Sequence, residues 1–174
     1  MSTCPLVLLA LSGSLMALQT DLTRARNPKG GAVTVSAEDR SFIQYAARSG
    51  YHEVKMGRLG IKQSTNRDLR AYAQRIVDDH TLSNAEVEAL ARLKGIRLPD
   101  ATKVDTPVVE LSRLTGLEFD QEFVREAIAN HLRDLAEFEK EDQSAGADPD
   151  IKGFADSMLP TLRAHLKQAK ALNP

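Results

Sequence analysis

Four residues that could bind a metal ion fall on the apolar faces of four predicted helices: Glu53, His80, His131 and His165. His80 lies four residues after Ile76 and seven before Val87, so helical periodicity places it on the buried side. An unpaired polar group there would cost roughly 1–3 kcal/mol, so each of these residues needs a partner. Three imidazoles and one carboxylate suit a single Zn, Fe, Mn or Cu ion, and no organic cofactor is indicated. We expect Asp78 or Asp79 to act as an outer hydrogen-bond acceptor for His80 or for the facing helix, with Asp79 favoured as the partner of His80.

A buried hydrogen-bond network is the alternative interpretation of these residues. A single histidine on an apolar face is more often a hydrogen-bonded core residue than a metal ligand. One such residue on each of four helices favours a shared site, either metal-bound or hydrogen-bonded. The position three residues before each histidine is apolar, occupied by Val77, Ile128 and Leu162. The bridging carboxylates of a di-iron centre are therefore missing, which disfavours ferroxidase or di-iron oxidase chemistry.

Other polar residues are interpreted as solvent-exposed. His52 adjoins Glu53 but points about 100° away around the helix, so we expect it on the surface. The acidic run 137–142 is interpreted as a solvated helix end. The sequence contains no Ser-His-Asp motif, phosphate-binding loop or nucleotide fingerprint.

The elements that must position the four candidate ligands are long amphipathic helices. Apolar periodicity, capping residues, glycines and prolines predict helices over about 36–62, 65–94, 118–145 and 149–172. The very short turn between the first two forces an antiparallel hairpin, and Pro160 predicts a kink in the last. A connection over 95–106, expected to cross the end of the bundle, precedes a short helix near 107–115. The predicted fold is an all-α antiparallel four-helix bundle with a short extra helix between helices 2 and 3.

Composition supports one domain and limits the partners. With 174 residues, 42% of them hydrophobic, the chain is long enough to bury one substantial core. The net charge is −1 and the charges are interspersed, which argues against binding to nucleic acid. Cys4 is the only cysteine, so neither a disulfide nor a thiolate metal site can form within the chain.

The N-terminal segment is predicted to lie outside the bundle. Residues 5–18 form an uncharged, largely apolar run of the length of a secretory h-region, so residues 1–18 are interpreted as a signal peptide. Residues 19–36 are largely polar and include Gly30 and Gly31, as expected of a flexible tether, and residues 37–172 are predicted to form the bundle domain. We therefore expect an exported protein, periplasmic or associated with the envelope through the apolar segment.

Several motifs in order resemble the bacterial family called domain of unknown function 4142. They are Ala73-Gln-Arg-Ile-Val-Asp-Asp-His80, Leu98-Pro99, Phe119-Asp120 with His131, and Leu159-Pro160 with His165-Leu166. The resemblance covers about residues 37–172. It implies a ferritin-like four-helix bundle and export, but no reaction, because the family has none assigned.

Three functions are consistent with these expectations. The first is an exported bundle that binds one transition-metal ion and acts in envelope or stress protection. The second is a metal-dependent oxidoreductase with an open coordination position. The third is a purely structural envelope protein whose buried histidines and glutamate form a hydrogen-bond network.

Overall fold

The computed structural model describes residues 35–103 and 105–172, and this part of the chain is helical without any strand. Its helices are α1 (Ala37–Gln63), α2 (Arg67–Lys94), α3 (Thr106–Leu111), α4 (Gly116–Gln143) and α5 (Pro149–Ala171). The predicted signal segment and residues 19–34 of the predicted tether lie outside the described residues. Within the described ranges, no helix has both the length and the apolar character needed to span a bilayer.

Local capping chemistry sets the ends of the long helices. Ser36 caps α1, because its hydroxyl accepts a hydrogen bond from the Asp39 amide (2.9 Å) and the Asp39 carboxylate accepts one from the Ser36 amide (3.1 Å). Gly95 ends α2 with a φ of 64°, a left-handed conformation that favours glycine. The short helix is shorter than predicted, and Gly116 begins α4 instead of ending α3.

Glycines in α1 allow a close approach of α2 and of the Phe123 ring on α4. A Cβ atom added at Gly57 would lie 2.9 Å from the backbone oxygen of Ala73, and one added at Gly60 would lie 2.7 Å from the Phe123 ring. Larger side chains at these positions would push the helices apart. The glycines therefore lower helix propensity but permit tight packing.

The connection between α2 and α4 runs along α1, so the expectation that it crosses the bundle end is wrong. Three hydrogen bonds join side chains of α1 to successive carbonyl groups of the connection: Gln44 to Arg97, Lys55 to Lys103, and Gln63 to Leu114. The first and last of these α1 residues are separated by about 28 Å of helix. The chain thus returns to the C-terminal end of α1 before α4 begins, and α4 runs antiparallel to α1.

A polar layer divides the core into two apolar clusters. One cluster contains Phe42, Val87, Phe138 and Leu162, and the other contains Met56, Ile76, Phe123 and Ala169. Between these levels, the four long helices place Glu53, His80, His131 and His165, all of which are buried. These four residues therefore lie at one level of the bundle, between the two apolar clusters.

Candidate metal centre

Three of the four candidate ligands converge on one point. One ring nitrogen from each of His80, His131 and His165 lies within 4.8 Å of the other two. Their ring centroids are 5.2–5.9 Å apart, and their exposed fractions are 4%, 0% and 0%. Helices α2, α4 and α5 each supply one of these imidazoles, so the cluster joins parts of the chain that are distant in sequence.

Outer hydrogen bonds orient two of the imidazoles. The Nδ1 atom of His131 lies 2.8 Å from the Ala127 carbonyl oxygen. A carbonyl oxygen can only accept a hydrogen bond, so Nδ1 carries the hydrogen and donates it. The Nε2 atom of His165 lies 2.8 Å from Oδ2 of Asp79 and donates to that carboxylate. In the neutral rings, the remaining nitrogens, His131 Nε2 and His165 Nδ1, therefore carry lone pairs.

These two lone-pair nitrogens face each other at 3.3 Å. Two acceptors at this distance repel unless a cation lies between them, and the cation can be a proton or a metal ion. Burial lowers the pKa of His165, although Asp79 opposes this effect, and burial lowers the pKa of His131 to about 4. A proton between them is therefore disfavoured near neutral pH, which is compatible with metal binding by this cluster.

The nitrogen separation also matches what one ion would require. Imidazole nitrogens bind zinc at about 2.0–2.1 Å, which places two ligands of a tetrahedral ion about 3.3–3.4 Å apart. His80 contributes a third ring, whose buried Nε2 atom has no hydrogen-bond partner among the described residues. Burial is the largest cause of its pKa being well below the usual histidine value, and neutral imidazole is the form that binds metals. The three buried histidines, with ring nitrogens within 4.8 Å of one another, could therefore hold one metal ion.

Asp79 forms a hydrogen bond with a histidine of the cluster, but not with the histidine that we expected. We expected it to orient His80, whereas its carboxylate binds His165 on α5. It also faces the Arg75 guanidinium at 3.4 Å. A carboxylate behind a metal-binding imidazole holds the ring orientation and makes the opposite nitrogen a better ligand.

Glu53 lies in the same polar layer but outside the three-histidine group. Its side chain is fully buried, and neither carboxyl oxygen has a hydrogen-bond partner among the described residues. Burial, with a further contribution from Asp134, raises its pKa well above the usual glutamate value. The nearby Asn130 amide opposes this rise, but its nitrogen is hydrogen-bonded to His52 and makes no hydrogen bond of normal geometry to Glu53. Tyr72 is near, and its buried hydroxyl also lacks a partner. The structure therefore brings together three of the four predicted ligands and leaves the fourth, a partnerless carboxyl, in the same layer.

Sequence reasoning missed a second polar network on the other side of Glu53. His52, expected on the surface, is half-buried: its Nδ1 lies 2.9 Å from Asp105 Oδ2, and its Nε2 accepts from the Asn130 amide at 2.8 Å. Asp134 is buried and accepts hydrogen bonds from Tyr45 and Ser49, each at 2.7 Å. The feature of the sequence that could have predicted this network is the four-residue spacing of Asn130 and Asp134. It places both residues on one face of α4, next to His131.

The acidic run is also only partly solvated. Glu141 is 6% exposed and adjoins Asp39. Burial, followed by the Asp39 carboxylate, raises the pKa of Glu141 to about 7. The expectation of a fully solvated helix end is therefore wrong at this residue.

Comparison with known proteins agrees with a helical bundle. The profile of the family described as Domain of unknown function (DUF4142) matches residues 24–172, and the chain belongs to that family. The chain is similar in fold to the crystal structure of a DUF305 fragment from Deinococcus radiodurans, with a TM-score of 0.69 and 16% sequence identity. The match covers 79% of this chain and 95% of that chain. None of the curated proteins matches the sequence.

Proposed function

We propose that His80, His131 and His165 bind one divalent transition-metal ion: Zn, Fe, Mn or Cu. The observation that carries this proposal is the 3.3 Å contact between His131 Nε2 and His165 Nδ1, two lone-pair nitrogens with their other ring atoms already hydrogen-bonded. A bound ion would remove the repulsion between these two nitrogens. It would also give the buried Nε2 atom of His80 a partner. When bound, such an ion supplies Lewis acidity or, for Fe and Cu, redox capacity.

Glu53 is our candidate for the remaining protein ligand. Its burial in the same layer and its two unpaired carboxyl oxygens support this role. Coordination requires the ionised form, so an ion near Glu53 would counteract the burial that raises its pKa. Glu53 would then complete a four-ligand set of three imidazoles and one carboxylate.

Binding or storage of the ion is favoured over catalytic turnover. All three histidines are at least 96% buried, and the ring edges face one another instead of a cleft. A metal-dependent oxidoreductase remains the alternative and would need a path for substrate to the ion. The structural alternative, a buried hydrogen-bond network, requires a protonated imidazole between His131 and His165.

We further propose that the domain is a ferritin-like four-helix bundle that is exported and acts in the envelope, in metal handling or stress protection. The long connection that returns along α1 supports the fold, because it makes α2 and α4 parallel, as in bundles with one long crossover. The apolar run 5–18 and the polar segment after it support export. Cell fractionation tests the localisation: we expect mature protein lacking residues 1–18 in the envelope fraction, and intact protein in the cytosol would contradict export.

Metal titration by calorimetry tests the site. Wild type, prepared with chelator and then dialysed, should bind about one equivalent of its preferred ion among Zn, Mn, Fe and Cu at neutral pH. His80→Ala and His131→Ala should lose tight binding, while His52→Ala, which removes a histidine outside the group, should keep it. Wild type that stays metal-free with all four ions would leave the hydrogen-bond network as the function of these residues.

A further inference from the structure

A cleft between α1, the connection and α4 comes close to the buried polar layer. It has a volume of about 460 Å³, and its lining includes His52 on α1 and Asn130 on α4. Each of these two residues directly precedes a candidate metal ligand in the chain, Glu53 and His131 respectively. Successive residues of a helix point about 100° apart, so the two cleft residues lie at the edge of the α1–α4 interface and the two candidate ligands lie inside it.

Exposure to solvent decreases stepwise from the cleft to the polar layer. The His52 side chain is 16% exposed, Asn130 is 6% exposed, and Glu53 and His131 are fully buried. The Asn130 amide donates a hydrogen bond to His52 Nε2 at 2.8 Å and thereby joins α4 to α1. The His52–Asn130 pair therefore separates the cleft from the two candidate ligands behind it.

The groups that hold this pair in place lie at the protein surface. The Nδ1 atom of His52 lies 2.9 Å from Oδ2 of Asp105, the N-cap of α3, and the Asn130 oxygen accepts from the Arg133 guanidinium. The Asp105 side chain is 17% exposed, and Arg133 is exposed. Rotation of the His52 and Asn130 side chains would open a path inward without displacing a helix, and such rotations are fast compared with movements of whole helices.

We propose that metal ions enter and leave the buried site through this cleft, with the His52–Asn130 pair as the gate. This inference rests on the metal site proposed above. Behind the gate, an ion would meet oxygen acceptors: the Asp134 carboxylate, which is 2% exposed, and the Ser49 hydroxyl bound to it at 2.7 Å. The described lining holds four acidic and four basic residues, so neither sign of charge predominates to repel a cation.

The opposite side of the polar layer is a less favourable entrance. There Asp79, whose side chain is 32% exposed, binds His165 Nε2 directly and faces the Arg75 guanidinium. An ion that entered on this side would have to break the hydrogen bond that orients one of its own ligands. The His52–Asn130 hydrogen bond includes none of the candidate ligands, so it can break while their orientations are kept.

Release of the ion into a chelator tests the gate. A gate changes the rates of binding and release by the same factor and leaves Kd unchanged, whereas a ligand changes Kd. Loaded full-length protein is mixed in a stopped-flow instrument with chelator at concentrations where the release rate no longer depends on the chelator. His52→Ala should release the ion about two- to tenfold faster than wild type, because the hydrogen bond that closes the gate is lost. His52→Gln, whose amide oxygen can again accept from Asn130, should release it more slowly than His52→Ala.

Arg75→Gln, at an exposed residue on the opposite side, is the matched control and should release the ion at the wild-type rate. Unchanged release in His52→Ala, or faster release in Arg75→Gln alone, would overturn the gate and leave the metal site intact. A rise in the Kd of His52→Ala that accounts for its faster release would also overturn the gate, because His52 would then contribute to affinity. Wild type that binds no ion would instead remove the metal site, and this inference with it.

Discussion

Replacing Glu53 by methionine should stabilise the metal-free protein, an outcome opposite to that of most core substitutions. Both carboxyl oxygens are buried without hydrogen-bond partners among the described residues, and each such group costs about 1–3 kcal/mol relative to an apolar replacement. Methionine has a similar length and adapts to irregular space. We expect a gain of about 1–3 kcal/mol in the free energy of unfolding, with Tm rising by about 2–4 °C for each kcal/mol.

The pH dependence of this effect follows from the raised pKa of Glu53. The Glu53 carboxyl keeps its proton to a higher pH in the folded protein than in the unfolded protein, where its pKa is near 4.5. The contribution of Glu53 to stability is therefore full below about pH 4.5 and decreases as the pH rises toward the folded pKa. The stability gain from Glu53→Met should accordingly be larger at pH 7 than at pH 4.5.

Urea unfolding in the presence of a chelator, followed by circular dichroism, measures this difference. Glu86→Met, at an exposed glutamate of α2, is the control and should change stability by no more than about 0.5 kcal/mol. Added metal should stabilise wild type more than Glu53→Met, because the variant lacks the proposed carboxylate ligand. A chelated Glu53→Met protein less stable than wild type by about 1 kcal/mol or more would refute the reasoning, since Glu53 would then make favourable contacts in the apo fold.

Three further substitutions test the helix packing and the Asp39–Glu141 pair. Gly57→Ala should destabilise by about 1–3 kcal/mol in urea despite its higher helix propensity, because its Cβ would lie 2.9 Å from the Ala73 backbone oxygen. Gly153→Ala on α5, whose Cβ would have no neighbour within 4 Å, should stabilise by up to about 1 kcal/mol, and a reversed order would contradict the packing argument. Wild type should lose stability as the pH rises from about 4.5 to about 7, because folding then requires Glu141 to keep a proton that the unfolded chain has released. Glu141→Gln should flatten that decline, and an unchanged pH profile in urea would show that Glu141 does not titrate there.

Helical periodicity and end signals were sufficient to predict the four long helices and the polar layer. Each stripe repeats over more than twenty residues, and side-chain caps at Ser36, Asn66 and Asp148 and the left-handed Gly95 mark several of the ends. Glu53 and the three histidines lie at one level because the helices have similar lengths and the turns between paired helices are short. Height along a bundle can therefore be estimated by counting residues.

The contacts around the site could not be predicted in the same way. Asp79 adjoins His80 in the chain, but successive residues of a helix point about 100° apart. The Asp79 side chain is therefore directed to His165 on α5 and not to His80. His52 was expected to be exposed because it points about 100° away from Glu53 around α1. The connection between α2 and α4 covers that face, and its path depends on where α4 begins, which periodicity does not determine.

X-ray absorption spectroscopy of the metal-loaded protein, combined with elemental analysis, tests the central claim most directly. We predict about one ion per chain with three imidazole nitrogens at about 2.0–2.1 Å if the ion is zinc, and loss of that signature in His131→Ala. His52→Ala should give the wild-type spectrum. Two ions per chain, a shell dominated by oxygen ligands, or an unchanged spectrum in His131→Ala would contradict a single-ion site formed by His80, His131 and His165.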